Sequence, residues 1–377
     1  MNASTSPSRS PSQGKFAAPS RSSSQGKFAA PSRSTSFVEV NLSSGSKVPN
    51  SPPGLSSQTS YSRQITGHLE LRLLTTRLTS RDRRPLTPRD LAILLALDQY
   101  RYLDRHQLQA LFFAGPRSCQ YRLEWLVRQG LVRTWRVTMR PGFVRRASIY
   151  FLSPHGARAL AESRDDDPLT YVQRADHALT RHYHLVHDLQ ASQFFVDLAA
   201  ASRELPDQGL YHWVGEQGVR RGYAEEEERG PIADGWGRFL TPDREVLLHL
   251  EWDRGSELAK RLRLKLGAYI SYFVDRPSAS QNQVLVVAPT DQREEQVARV
   301  AFSVLPRARE CCRVWTTTTA RLGTFGSLGD VWRGVERSTP RIALPFMVGR
   351  PRSSRRVEDC IGKPRWWERR PGGGQGA

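Results

Sequence analysis

Chemistry first suggests itself where carboxylates recur two residues apart on an apolar, extended segment. Glu251 and Asp253 flank Trp252 in the run Leu250-Glu-Trp-Asp-Arg-Gly255, and on a strand such a pair shares a face. Asp234, in Ile232-Ala-Asp-Gly235, falls on or near a neighbouring strand. Three hard oxygen donors suit Mg2+, the ion that polarises a phosphoryl oxygen and activates water in phosphodiester hydrolysis. Asp234, Glu251 and Asp253 are therefore the candidate metal ligands. Further on, Arg261 and Lys265 fall in the helical stripe of Leu258, Leu262 and Tyr269, the face expected to turn toward the sheet. This aims Lys265 back at Glu251 and makes Asp234, Glu251 and Lys265 the candidate catalytic set. A strand-end turn at Asp253-Arg254-Gly255 with a buried salt-bridge network accounts for the same residues without chemistry.

A second group is His177, His182, His184 and His187. His182-Tyr183-His184 is similar to the His-hydrophobe-His motif of relaxases and rolling-circle initiators, which needs a strand so that both imidazoles point the same way. Leu185, Val186, Leu189 and Val196 keep helical spacing instead, which sends His182 and His184 to different faces.

A third group is cationic. Residues 81–153 carry fourteen arginines, no lysine and five acids. In Pro116–Arg128 the apolar residues Cys119, Leu123, Leu126 and Val127 define one helix face, leaving Arg117, Ser118, Tyr121, Arg122, Trp125 and Arg128 on the other. Arg117 and Arg122 are the candidates for guanine edges, because a guanidinium fork bonds O6 and N7 together. Arg140, Arg145 and Arg146 sit near a turn at Pro141-Gly142 and are placed to meet flanking phosphates.

The elements that must hold these groups follow from caps and periodicity. Thr87-Pro88-Arg89-Asp90 reads as a capping box with proline at the first helical position, and Leu91, Leu94 and Leu95 continue a helical stripe. Asp104-Arg105-His106-Gln107 starts a second helix, and Gly130 ends the third as a C′ glycine. Two strands follow, Leu131–Val137 and Ala147–Leu152. Three short helices and a hairpin make a winged helix-turn-helix, a module that lays its third helix in the major groove. Winged helices also serve as protein-binding modules, but here the charge is concentrated on the two elements that would touch DNA. Beyond it the pattern predicts a long helix over 177–205, strands near 211–214, 232–235, 246–252, 283–288 and 313–317, and helices up to Phe273 and over 294–305. This is an α/β sandwich around a mixed sheet.

Charge assigns the modules different partners. The whole chain carries +19, with a pI near 10.5, and such a surface attracts polyanions. Residues 177–335 are nearly neutral, with 20 basic and 21 acidic side chains, and the surplus lies in 81–153 and the two tails. The first 60 residues hold 19 serines and a duplicated Ser-Gln-Gly-Lys-Phe-Ala-Ala-Pro-Ser-Arg-Ser unit, too polar to bury a core. Four divisions result: a disordered arm over 1–80, the winged helix over 81–160, the α/β domain over 177–335 and a basic, mostly disordered tail over 336–377. The longest apolar run, Leu91 to Leu97, is far below the ~18 residues that span a bilayer, and the start has no secretory signal. Cys119, Cys311, Cys312 and Cys360 show no zinc-ligand spacing. Double-stranded DNA is the expected partner, in the cytoplasm and in association with nucleoid or plasmid.

Taken together, Leu86-Thr-Pro-Arg-Asp90, Arg128-Gln-Gly-Leu131, Tyr150-Phe-Leu-Ser-Pro-His-Gly156, His184-Leu-Val-His-Asp188, Ile232-Ala-Asp-Gly235 and Leu250-Glu-Trp-Asp-Arg-Gly255 with Lys265 and Tyr269 resemble the replication-relaxation family. The resemblance spans about residues 85–325 and implies a role in plasmid replication and relaxation of plasmid DNA. The second domain is also similar in layout to PD-(D/E)XK nucleases. That likeness makes Asp234 the first carboxylate, Glu251 the second, Glu216 a helper and Lys265 a lysine moved onto the helix, with Mg2+ as cofactor and DNA nicking as the activity. Ala233 stands in place of the pattern's proline, and Asp253 in place of its lysine. The alternative is a winged-helix transcriptional regulator whose C-terminal domain forms a homodimer or binds replication or relaxation partner proteins without catalysis.

Overall fold

The computed structural model describes residues 38–39, 70–74, 85–138, 146–180, 184–226, 228–274, 276, 282–304, 312–335, 340–352, 354–363 and 366. It is an α+β fold with ten α-helices among these residues. The first helix, α1 (Pro88–Tyr100), starts as its sequence requires. Thr87 Oγ1 accepts from the Asp90 amide, the Asp90 carboxylate accepts from the Thr87 amide at 2.7 Å, and Pro88 sits where no amide is needed. Asp104 and Gln107 make the same reciprocal pair at the start of α2 (Arg105–Phe112). Then α3 (Pro116–Arg128) ends in a Schellman pattern: the Gly130 amide bonds Val127 O and the Leu131 amide bonds Leu126 O. Gly130 adopts φ +69°, the left-handed conformation that glycine enters without a Cβ penalty.

Short strands β1 (Val38–Glu39) and β2 (Glu70–Leu74), then β3 (Leu103–Asp104), β4 (Val132–Thr138) and β5 (Arg146–Leu152), form an antiparallel sheet in the order β1-β2-β4-β5-β3. Residues 70–74, expected in the arm, instead pair with β4; the alternation Leu71-Arg72-Leu73 suits a strand, and β4 otherwise leaves its edge open. Next come α4 (Pro154–Glu162), α5 (Pro168–Thr180) and α6 (Leu185–Ala201). The single helix expected over 177–205 is therefore two helices, with 181–183 and His182 outside the described residues.

The second sheet is mixed and has seven strands. In chain order these are β6 (Gly209–Gly215), β7 (Gly235–Leu240), β8 (Arg244–Trp252), β9 (Asn282–Ala288), β10 (Arg313–Thr318), β11 (Arg333–Gly334) and β12 (Arg350–Pro351). Spatially it runs β11-β10-β9-β8-β7-β6, with β12 added to the start of β8; β8, β9 and β10 are parallel and the other pairs antiparallel. The sequence reading missed the helix α7 (Glu216–Glu225) between β6 and β7. It placed α8 (Ala259–Phe273), α9 (Asp291–Val304) and the strands β6, β8, β9 and β10, whereas the strand expected near 232–235 lies at Gly235–Leu240, just past Asp234; α10 (Thr319–Phe325) closes the set.

Side-chain alternation splits the mixed sheet into two faces. Leu248, Leu250, Leu285 and Val287 pack with Phe194 and Phe195 of α6, while Val284 and Val286 pack with Leu262, Leu266, Tyr269 and Phe273 of α8. Gly235 and Gly237 lie under the Phe195 ring, where a Cβ would approach it to 2.4 and 2.8 Å. Their bare backbone lets α6 sit tight on β7. The apolar cluster on that face runs on without a break into α1, α2 and α3. Tyr100 stacks on Trp213 with ring centroids 4.0 Å apart, and Gln107 donates to Leu189 O at 2.9 Å. The segment after residue 340, expected to be a disordered tail, contributes the buried Leu344, Met347, Cys360 and Ile361 to the core, and Trp366 donates to Leu111 O.

Candidate functional site

Sheet register brings the first chemical group together. Gly235 pairs with Gly215 on one side and Leu250 on the other. One residue past that register, Glu216, Asp234 and Glu251 come into a row at the end of the sheet. Glu251 follows the β8 alternation onto the α8 side and is 4% exposed. Tyr269 on α8 donates its hydroxyl to Glu251 Oε1 at 2.6 Å, and Lys265, one turn earlier, brings its ammonium against Glu251 Oε2. Asp234 precedes β7 and so reaches past the sheet end to both layers. Its Oδ1 lies 3.9 Å from Lys265 Nζ; its Oδ2 accepts from the Trp252 amide at 2.7 Å and lies 3.2 Å from His187 Nε2. His187 Nε2 is also 3.2 Å from Trp252 O.

The electrostatics follow from burial and these contacts. Burial pushes the Glu251 carboxyl up to about 8, against the pull of Lys265 and reinforced by the Asp234 charge. Asp234 is also penalised by burial, yet His187, Lys265 and the Trp252 amide together hold it below the usual carboxylate range. Burial opposes charge on Lys265 and His187 as well; the two carboxylates outweigh it at Lys265 and Asp234 leads at His187, so both are raised. The neighbouring Asp188, desolvated and paired with Arg101 at 3.0 Å, is pushed up to about 6. An anion held by His187 and the Trp252 amide, with Lys265 3.9 Å away, stands beside a carboxyl that burial pushes toward its protonated form.

Asp253 is not brought into this group. β8 ends at Trp252, and the Asp253 carboxylate accepts from the Gly255 amide at 2.8 Å and from Arg293 of α9 at 2.5 Å. The two-residue spacing that would align it with Glu251 operates only while the strand continues. Arg261 and Leu258 do not face the sheet either; both are exposed, and the buried stripe is Leu262, Leu266, Tyr269 and Phe273 with Lys265 at its margin. Glu216 is the first residue of α7, paired with Arg220 at 2.7 Å. His184 is exposed at the start of α6. His187 was named only within the histidine group and the run His184-Leu-Val-His-Asp188, and its contact with Asp234 was not read from the sequence. Tyr269 was legible as a stripe residue without its bond to Glu251.

On α3 the structure divides the expected DNA face. Arg117, Ser118, Tyr121 and Arg128 are exposed. Arg122 turns inward: Nε bonds Asp90 Oδ1 at 2.6 Å, Nη2 meets Asp90 Oδ2, and the guanidinium lies 4.0 Å over the Trp125 ring. Trp125 itself is buried. The fork expected at a guanine edge is thus occupied by the N-terminal turn of α1, because fully buried Asp90 requires a cation. Arg140 and Arg145 lie outside the described residues; Arg146 begins β5.

No group of three metal-ligating side chains occurs among the described residues. Among them, too, no helix is long and apolar enough to cross a membrane. No curated protein matches the sequence. A family described as replication-relaxation matches residues 94–287, from the middle of α1 to the end of β9 and just over half of the chain. That span holds the arginine-bearing helix α3, the hairpin and every member of the Asp234–Glu251–Lys265–His187 cluster, and the chain belongs to the replication-relaxation family.

Proposed function

We propose that the chain is a DNA-binding protein of plasmid-type replication and DNA relaxation that nicks DNA with a divalent metal. The observation that carries the nicking is the convergence of Asp234 and Glu251 on Lys265 Nζ at the sheet end, the layout of a PD-(D/E)XK-like centre. DNA is engaged through α1, α2, α3 and the β4–β5 hairpin, acting as a winged helix with Arg117, Ser118, Tyr121 and Arg128 toward the duplex.

The donor chemistry fits Mg2+, which is commonly held by one or two carboxylates with water and substrate phosphate completing its shell. Asp234 and Glu251 would hold it, Lys265 now standing between them as the local cation. When bound, the ion supplies a polarised phosphoryl oxygen and an activated water. The protein's own contribution is orientation. His187 and the Trp252 amide occupy Asp234 Oδ2 and leave Oδ1 toward the shared space; Tyr269 occupies Glu251 Oε1 and leaves Oε2 there. Lys265 balances charge gathering on the scissile phosphate.

The test is conversion of supercoiled plasmid to open circles by purified protein in magnesium. Asp234→Ala or Glu251→Ala should lower the rate by on the order of 10²–10⁴-fold, and His187→Ala by roughly 10–100-fold, with DNA affinity nearly unchanged. If wild type neither nicks nor binds magnesium by calorimetry, the carboxylates are structural and the regulator reading replaces this one.

A further inference from the structure

Away from the carboxylate cluster, α1, α5, α7 and the end of β5 enclose a cavity of about 280 Å³. Its apolar floor is Leu97, Leu152 and Ala175, all buried. Its walls carry three guanidiniums, from Arg101, Arg174 and Arg221, and one carboxylate, from Asp98. Arg174 saturates that carboxylate with a two-pronged bond, Nε to Oδ1 at 2.7 Å and Nη2 to Oδ2 at 2.9 Å. Arg221 reaches the same Oδ2 only at 3.6 Å, and Arg101 is paired outside the cavity with Asp188. The lining is therefore positive; Arg221 shares Asp98 with Arg174 and also feels the charge of Glu225. Burial, chiefly, and the neighbouring Arg174 lower the affinity of Arg221 for the proton against the attraction of Asp98. Thr170, Gln173 and Gln217 add neutral hydrogen-bonding groups.

An apolar floor, a cationic wall and amide side chains together fit an anion that carries a flat, partly apolar body. The volume lies just below the usual range of ligand pockets, roughly 300–1,000 Å³, and so suits only a small ligand. We propose that this cavity binds a free nucleoside monophosphate, its phosphate on Arg221 and its base over Leu97 and Leu152. The site bridges α1 to α5 and α7, and Arg101 is bonded to the residue after His187, so occupancy stiffens the joint between the arginine-rich helices and the mixed sheet. Binding itself does not depend on the catalytic reading of the carboxylates.

Calorimetric titration of the full chain with AMP, GMP, inorganic phosphate and a short single-stranded oligonucleotide tests this. Saturable nucleotide binding is expected, far weaker for inorganic phosphate. Arg221→Gln should weaken it about tenfold or more, the loss of a charge-assisted pair. Thr170→Trp, which fills the mouth of the cavity and leaves every arginine in place, should abolish it and keeps the proposal testable if Arg221→Gln unfolds the protein. The proposal is overturned if neither nucleotide saturates, if both variants bind as wild type does, or if inorganic phosphate binds equally well. It is also overturned if only the oligonucleotide is weakened by the variants, since the wall would then hold a backbone phosphate.

Discussion

Glu251 is the residue whose surroundings and chemistry pull hardest against each other. A carboxyl with a value near 4.5 in the unfolded chain and about 8 in the folded one stays protonated in the native protein while the unfolded chain has already lost its proton. Folding then takes up a proton between those limits, so its contribution to stability falls as pH rises from about 4.5 to about 8 and levels off above. Glu251→Gln carries no such proton. In EDTA, its thermal midpoint relative to wild type should climb steadily from pH 5 to pH 8 and then plateau. A difference that stays flat across that range means that Glu251 is ionised throughout, held by Lys265 at the expense of its burial.

Helix α3 shows how one element serves two ends. Its N-terminal turn and outer face present Arg117, Ser118, Tyr121 and Arg128 to solvent, while Arg122 crosses to Asp90 and braces α1. The two arginines should therefore separate cleanly. Arg122→Ala strands a buried carboxylate and should cost about 3 kcal/mol in urea unfolding, lowering DNA affinity only through loss of fold. Arg117→Ala should change stability by less than about 0.5 kcal/mol and relax sequence preference by roughly 1–3 kcal/mol across a site library. If Arg122→Ala melts as wild type does and alters base preference alone, the Asp90 pair is not the resting position of its side chain. The capping boxes of α1 and α2 and the Gly130 stop were legible because each is written in four or five consecutive residues. The inward turn of Arg122 was not, since Asp90 lies 32 positions away.

For the whole molecule, the joint between the helical part and the mixed sheet is a continuation of the core. Tyr100 on Trp213, Arg101 with Asp188, Gln107 on Leu189 O and the Asp98–Arg174 fork join elements far apart in sequence. The C-terminal segment closes this assembly, burying Leu344, Met347, Cys360, Ile361 and Trp366. Truncation of residues 340–377 should lower the melting temperature by on the order of 10 °C or more, because several large buried side chains are lost at once. A truncated chain that melts with wild type would mean that the segment is only a strap on the surface.

By itself the sequence determined what local physics controls: the capped helices, most of the strand periodicities, the concentration of arginine, and the presence of Asp234 and Glu251 near strand ends with Lys265 on the following helix. It also carried enough scattered motif to resemble the right family. The tertiary structure alone decided which charges meet. Asp253 left the carboxylate group because β8 stops one residue before it and Arg293 waits in α9. His187 joined because α6 packs on Gly235 and Gly237 and carries its imidazole to Asp234. The basic C-terminal segment looked solvated because charge dominates its composition. Its few apolar residues complete a core built from partners elsewhere in the chain, and no local pattern records a partner that distant.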